Sequence, residues 1–274
     1  MQIESVYNEL MSEIIPDFEG LFLKKINAYR KVFLTDMLVY ATKGGKRIRP
    51  LLMALVNKTL GEKDEIYDAS FSIELMHTVS LIHDDFIDKE NLRRGQTPFY
   101  KKFGYEGSLI ITDYVFGVIM DLINTYDSSR SLILKVLSEA SQSMSYGELK
   151  EIMLYKEQKE VRFEDYLDVI NNKTASLFAS ATTIGAILSN RPELADVAYE
   201  YGKNLGLIYQ IKDDFKDKEH KINELFGLLS EESVDKVKLL LEKSYEAALS
   251  SLLKFPKNEY RDKLYLLTNS LYMS

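Results

Sequence analysis

The chain has no cysteine among its 274 residues. Disulfides, Cys-ligated zinc, iron–sulfur clusters and thiol catalysis are therefore excluded, and the composition suits a reducing interior. Proline and glycine are sparse, 5 and 13 residues, which disfavours a turn-rich β protein. Positive charge is in deficit: 42 acidic residues against 35 basic leave a net −7. That balance argues against general binding of nucleic acid or anionic membranes. Long apolar runs are missing as well. The most apolar stretch, from Leu109 to Ile123, is interrupted by Asp113 and Asp121 and falls short of the ~20 residues a membrane span needs. The N-terminus, MQIESVYNELMSEIIPDFEG, carries early acids and no basic segment ahead of an apolar core, so no signal peptide is expected. These absences point to a soluble, cytoplasmic protein.

What is present is helical. Hydrophobic residues make up 46% and charged residues 28%, a globular balance. Leu194, Val197, Ala198, Tyr201, Leu205 and Ile208 fall on one helical stripe, and a weaker stripe runs through Val234, Val237, Leu241, Tyr245, Ala248 and Leu252. From Asp64 to Asp88 apolar residues face more than one side, as in a central helix with neighbours all round. Pro16, Pro50, Pro98, Pro192 and Pro256 can each open a helix or sit in a connection. No linker divides the chain. The expectation is one all-α domain spanning 1–274, with about ten to twelve helices.

Two segments repeat each other. Residues 81–90, LIHDDFIDKE, match residues 210–219, QIKDDFKDKE, at seven of ten positions. Each copy carries Asp at i, i+1 and i+4: Asp84, Asp85 and Asp88, then Asp213, Asp214 and Asp217. On a helix the i and i+4 carboxylates stack. A lone triplet reads as a solvated helix end; two copies ending two apolar helices read as facing banks. Like charges ~4 Å apart repel by ~4 kcal/mol at an effective dielectric of ~20, so converging carboxylates need cations. With oxygen ligands only, the matching ion is Mg²⁺ or Mn²⁺, which shares its shell with substrate phosphates. The spacing thus points to a metal-bridged diphosphate.

Cations cluster nearby. Lys43, Lys46, Arg47 and Arg49 surround Gly44-Gly45 ahead of Pro50; Arg93-Arg94-Gly95 follows the first triplet; Lys173-Thr174 opens another apolar helix. Each alone reads as surface charge. Together they describe a second phosphate held directly, with Arg forking onto it and Gly allowing close approach. His83-Asp84 could belong to a metal phosphohydrolase, but that needs further His ligands and only His77 and His220 remain.

These residues, in order, carry a resemblance. GGKRIRP at 44–50, HTVSLIHDDFID at 77–88, LRRG at 92–95, Lys173-Thr174 and QIKDDFKD at 210–217 are similar to the motifs of the trans-isoprenyl diphosphate synthases. The resemblance implies an all-α isoprenoid-synthase bundle around a deep apolar cavity, usually a homodimer. It implies that Asp84, Asp85, Asp88, Asp213, Asp214 and Asp217 hold Mg²⁺, with Mn²⁺ possible. It assigns the allylic diphosphate to Arg93, Lys173, Thr174 and Gln210, and isopentenyl diphosphate to Lys46, Arg49, His77 and Arg94. Ionisation of the allylic C–O bond, attack by the isopentenyl double bond and loss of a proton then need no nucleophilic side chain. Two departures stand out. The Gly-Lys-rich loop usual after the second triplet is absent, leaving Lys218 or Lys221 as substitutes, and Glu151 stands where Gln is frequent. Val79 and Ser80 leave the turn below Asp84 unblocked. With Val79, Ser80 and Met76 as the chain-length candidates and the floor set lower, by Met76, Ile73 or a residue of the Asp113–Asp121 segment, one ~5.4 Å turn per isoprene unit leads to an expected product of about C25–C35. The alternatives are a geranylgeranyl or farnesyl diphosphate synthase, a class I terpene cyclase, or a non-catalytic partner subunit.

Overall fold

The computed structural model describes residues 3–29, 32–157, 160–217 and 225–274, without the side chains of Ile3, Glu4, Val32 and Asp217. Twelve α-helices occur among them: α1 (Ile3–Ile14), α2 (Phe18–Ala28), α3 (Val32–Thr42), α4 (Ile48–Thr59), α5 (Tyr67–Ile87), α6 (Phe99–Ile123), α7 (Arg130–Glu157), α8 (Phe163–Ile170), α9 (Ser176–Ile187), α10 (Ala195–Asp217), α11 (Glu231–Leu252) and α12 (Glu259–Met273). A five-residue π-helical turn, Asn171–Ala175, joins α8 to α9, so those two form one interrupted helix. The described residues contain no strand, only isolated bridges. The expected all-α class and helix number hold.

The apolar pattern explains the layering. α9 is buried along its whole length and α4 along nearly all of its length. α5 buries Ala69, Ile73, Met76, Val79 and Ile82 on several faces, as its sequence leads one to expect. The stripe on α10 is buried too, with Ala198, Tyr201, Leu205 and Ile208 fully enclosed. α9 packs on α4, α7 and α10, while α5 lies along α6. Amphipathic α1, α11 and α12 wrap the outside. α11 and α12 begin with side-chain caps: Ser230 accepts from the Ser233 N–H and Asn258 from the Arg261 N–H, each relieving an otherwise unpaired donor. A smaller core of Val161, Tyr166, Val169, Ile211, Leu225 and Phe226 joins α8, the end of α10 and the start of α11. It sits directly beneath the second Asp triplet. No helix among the described residues is long and apolar enough to cross a membrane.

Candidate active site

The two Asp triplets close the C-terminal ends of α5 and α10. A helix C-terminus carries partial negative charge from its unpaired carbonyls. Adding three carboxylates there is electrostatically adverse unless cations attend them, and each described bank has its own partners. Arg93 donates to Asp85 at 2.5 Å, with Asp85 buried. Lys173 Nζ stands 3.7 Å from Asp84 and 2.6 Å from both Glu148 and Glu151 on α7. Burial pushes Asp84, Asp85 and Asp88 above the usual carboxylate range, against the pull of Lys173 on Asp84 and Asp88 and of Arg93 on Asp85. Burial would lower the Lys173 ammonium, but Asp84, Glu151 and Glu148 outweigh it and hold the group charged.

On α10, Asp214 is buried, accepts from Tyr166 at 2.5 Å, and accepts from Gln210 Nε2 at 2.7 Å. Gln210 Oε1 in turn accepts from Thr174 Oγ1 at 2.7 Å. Asp213 pairs with Tyr209, whose hydroxyl burial pushes up to about 12, reinforced by that carboxylate. A continuous chain thus runs from Asp84 through Lys173-Thr174 and Gln210 to Asp214, joining the two banks. The Asp217 side chain, Lys218, Lys221 and His220 lie outside the described residues.

The cations of the second group meet beside this mouth. The GGK loop and the Arg93–Gln96 turn are pressed together: Arg94 donates weakly to the Lys43 carbonyl at 3.5 Å. A Cβ on Gly44, whose φ is +75°, would sit 3.7 Å from the Arg94 side chain. Arg93 and Gln96 exchange two 2.9 Å backbone hydrogen bonds. Arg94 (φ 51°) and Gly95 (φ 74°) between them are both left-handed, the signature of a tight primed turn. Arg49 extends from α4 with its guanidinium 4.5 Å over the Phe178 ring, and its buried Nε has no hydrogen-bond partner. His77, on α5, is held well below its ordinary pKa by burial, then by Arg49, Arg94, Arg47 and Arg93. It is therefore neutral at neutral pH. Lys46 is exposed.

Arg47 departs from the cluster that the sequence suggests. Its backbone is left-handed (φ 56°) and its guanidinium turns into the core, 2.6 Å from Glu74, both side chains only 2% exposed. It also donates to Glu19 at 2.6 Å and to the Thr42 carbonyl. Glu74 stands in Glu-x-x-His spacing with His77, half of a di-iron bundle motif, but its carboxylate is taken up by Arg47. Lys173-Thr174 is likewise placed differently, in the π turn rather than in the first turn of a helix.

Glu148, Tyr166 and Tyr209 were not singled out by the sequence, and Glu151 only as a departure from the family pattern. Glu148 and Glu151 were traceable in principle, as acids three apart on one helix face directly after Gly147; the two tyrosines carried no such signal. The expected chain-length residues Met76 and Val79 are buried, and Ser80 donates to the His77 carbonyl. Two clefts adjoin α5. One, about 540 Å³, is at the far end of α5 between residues 64–68 and 125–129. The other, about 30 Å³, runs under Arg93 and Arg94.

The chain is similar to proteins of one family. Residues 31–225 match the model of the polyprenyl synthetase family. The chain is 30% identical over 221 residues to the octaprenyl diphosphate synthase of Escherichia coli, covering 79% of this chain and 67% of that one. It is 32% identical over 242 residues to the geranylfarnesyl diphosphate synthase of Methanosarcina mazei, covering 82% and 80%. In fold it is similar to the crystal structure of an FPP/GFPP synthase from Zymomonas mobilis, with TM-score 0.84, 24% identity and coverage of 97% and 98%. Because the match takes in both Asp triplets and the cations at 43–49, 93–94 and 173, and not the helical frame alone, the chain belongs to the polyprenyl synthetase family.

Proposed function

We propose that the chain, acting as one domain over 1–274, joins isopentenyl diphosphate to an allylic diphosphate to give an all-trans polyprenyl diphosphate. The enzyme is a trans-prenyltransferase, its relatives being prenyl diphosphate synthases of several chain lengths. The supporting observation is the apposition at one mouth of two opposite groups. One is acidic, at the ends of α5 and α10; the other is Arg49, Arg94 and His77, with an unmet buried donor on Arg49.

The residues fit Mg²⁺ or Mn²⁺: the acids offer oxygen donors only, and the mouth already holds an ammonium 2.6 Å from two carboxylates. Among the described residues no three acids or histidines are gathered tightly enough to hold a metal ion alone. Asp84, Asp85, Asp88, Asp213, Asp214 and Asp217 would hold the metal. When bound, it would neutralise charge on the departing diphosphate. Arg93, Lys173, Thr174 and Gln210 would grip that same group, adding charge-assisted hydrogen bonds as the allylic C–O bond breaks. Lys46, Arg49, Arg94 and neutral His77 would hold the second diphosphate so that its double bond faces the allylic carbon. The new C–C bond forms there, and the proton lost goes to the departing diphosphate. The exposed apolar faces of α6 (Leu109, Ile110, Met120) and α7 (Leu132, Tyr146, Leu149, Met153) support a homodimer.

Val79 lies five residues before Asp84, and one ~5.4 Å turn counts about one isoprene unit, so the product is about C25–C35. Labelled isopentenyl diphosphate, farnesyl diphosphate and Mg²⁺, followed by chromatography, test this. Products of that length are expected, and Val79→Phe should shorten them. A product ending at farnesyl, or an unchanged length in the variant, contradicts the floor. A cyclised hydrocarbon, or turnover only with an added partner, would favour the alternatives.

A further inference from the structure

We propose that Glu148 and Glu151 clamp Lys173 inside the acidic mouth of the free enzyme, so that diphosphate and metal each bind well only in the presence of the other. This rests on the function proposed above.

The geometry is a built enclosure. Lys173 Nζ is 2.6 Å from Glu148 and 2.6 Å from Glu151, and 3.7 Å from Asp84, with its side chain 25% exposed. The π turn at 171–175 thrusts Lys173 at α7. Gly147 lets it come close, since a Cβ there would stand 2.5 Å from the Lys173 backbone nitrogen. One ammonium thus serves three acids, Asp84 the least closely.

Two consequences follow. If Lys173 turns to a phosphate, the half-buried Glu148, Glu151 and Asp84 are left crowded together without a cation, which is costly. A divalent cation among the same acids removes that cost. Equally, a metal entering first meets a resident ammonium, which can leave on its flexible stem only if a phosphate receives it. The coupling is reciprocal by linkage. Glu148 and Glu151 are positioning residues here, acting through Lys173.

The test uses inorganic diphosphate as probe, measured by calorimetry with and without Mg²⁺, and Mn²⁺ binding read by electron paramagnetic resonance with and without diphosphate. Wild type should show the same coupling factor in both directions, about 5-fold or more. In Glu148→Gln/Glu151→Gln, metal-free diphosphate should bind tighter by a comparable factor, and the coupling should shrink. In a Lys173→Gln background that gain should vanish. A gain that persists in full there would mean that mouth charge alone is responsible and would overturn the clamp, as would metal-free affinity unchanged in the double variant. Glu151→Gln alone, at the more exposed of the two acids, serves if the double variant does not fold. An active wild type with no such coupling sinks the clamp and spares the function; a wild type without prenyl transfer sinks the function.

Discussion

Two arginines two positions apart illustrate how context decides a residue's work. Arg49 and Arg47 belong to one basic run, yet Arg49 reaches the mouth with an unmet donor while Arg47 is enclosed against Glu74, Glu19 and the Thr42 carbonyl. That guanidinium ties α2, the end of α3, α4 and α5 together at the base of the loop carrying Lys46. Arg suits the task because its planar fork serves several acceptors at once. Removing it strands the Glu74 charge, and breaking a buried pair from one side costs about 3–5 kcal/mol. Arg47→Met should therefore lose that much stability in urea unfolding. Arg47→Met/Glu74→Met should recover most of the loss, because no buried charge is left alone. Equal losses in both variants would show that the pair matters little.

At the level of elements, the π turn between α8 and α9 is the piece that makes one site from two motifs. α7 is fastened to this region by Lys150, which bridges Asp165 at 3.1 Å and Asp168 at 2.8 Å, and Asn172 donates back to the Asp168 carboxylate. The turn then delivers Lys173 to the α5 side and Thr174 to the α10 side. Such π bulges are rare and gather at functional sites. Its fit depends on Gly147. Gly147→Ala forces α7 and the turn apart, and overpacking of that kind costs about 1–3 kcal/mol. The thermal midpoint should fall, and KM for the allylic diphosphate should rise more than KM for isopentenyl diphosphate. Equal changes in the two constants would separate the turn from the allylic side.

For the whole molecule, the surface is the informative part. α7 presents Leu132, Tyr146, Leu149 and Met153, and α6 presents Leu109, Ile110 and Met120, all exposed in the single chain. So many large exposed apolar side chains on two helices call for a cover, and a second copy of the same chain would supply it with two-fold symmetry. Sedimentation should give about twice 31.6 kDa for the wild type. Leu149→Lys/Met153→Glu should shift it to the monomer mass while leaving the helical spectrum intact. A wild type that sediments as a monomer at micromolar concentration removes the proposal.

The sequence by itself determined the helical class, the approximate number of helices and the two Asp triplets. These are local properties: apolar periodicity sets which face of a helix is buried, proline marks starts and connections, and a repeated Asp spacing is visible without folding anything. The Lys46, Arg49, Arg93 and Arg94 cations were legible for the same reason, as short runs. Only the tertiary structure decided which charges meet. It sent Arg47 into the core and kept Arg49 at the mouth, brought Glu148 and Glu151 onto Lys173 across a missing Cβ, and set Tyr166 and Tyr209 against the second triplet. Sequence separation hides such pairings, because a charge alone in a list has no partner and no burial. The energy of a charge is set almost wholly by those two things.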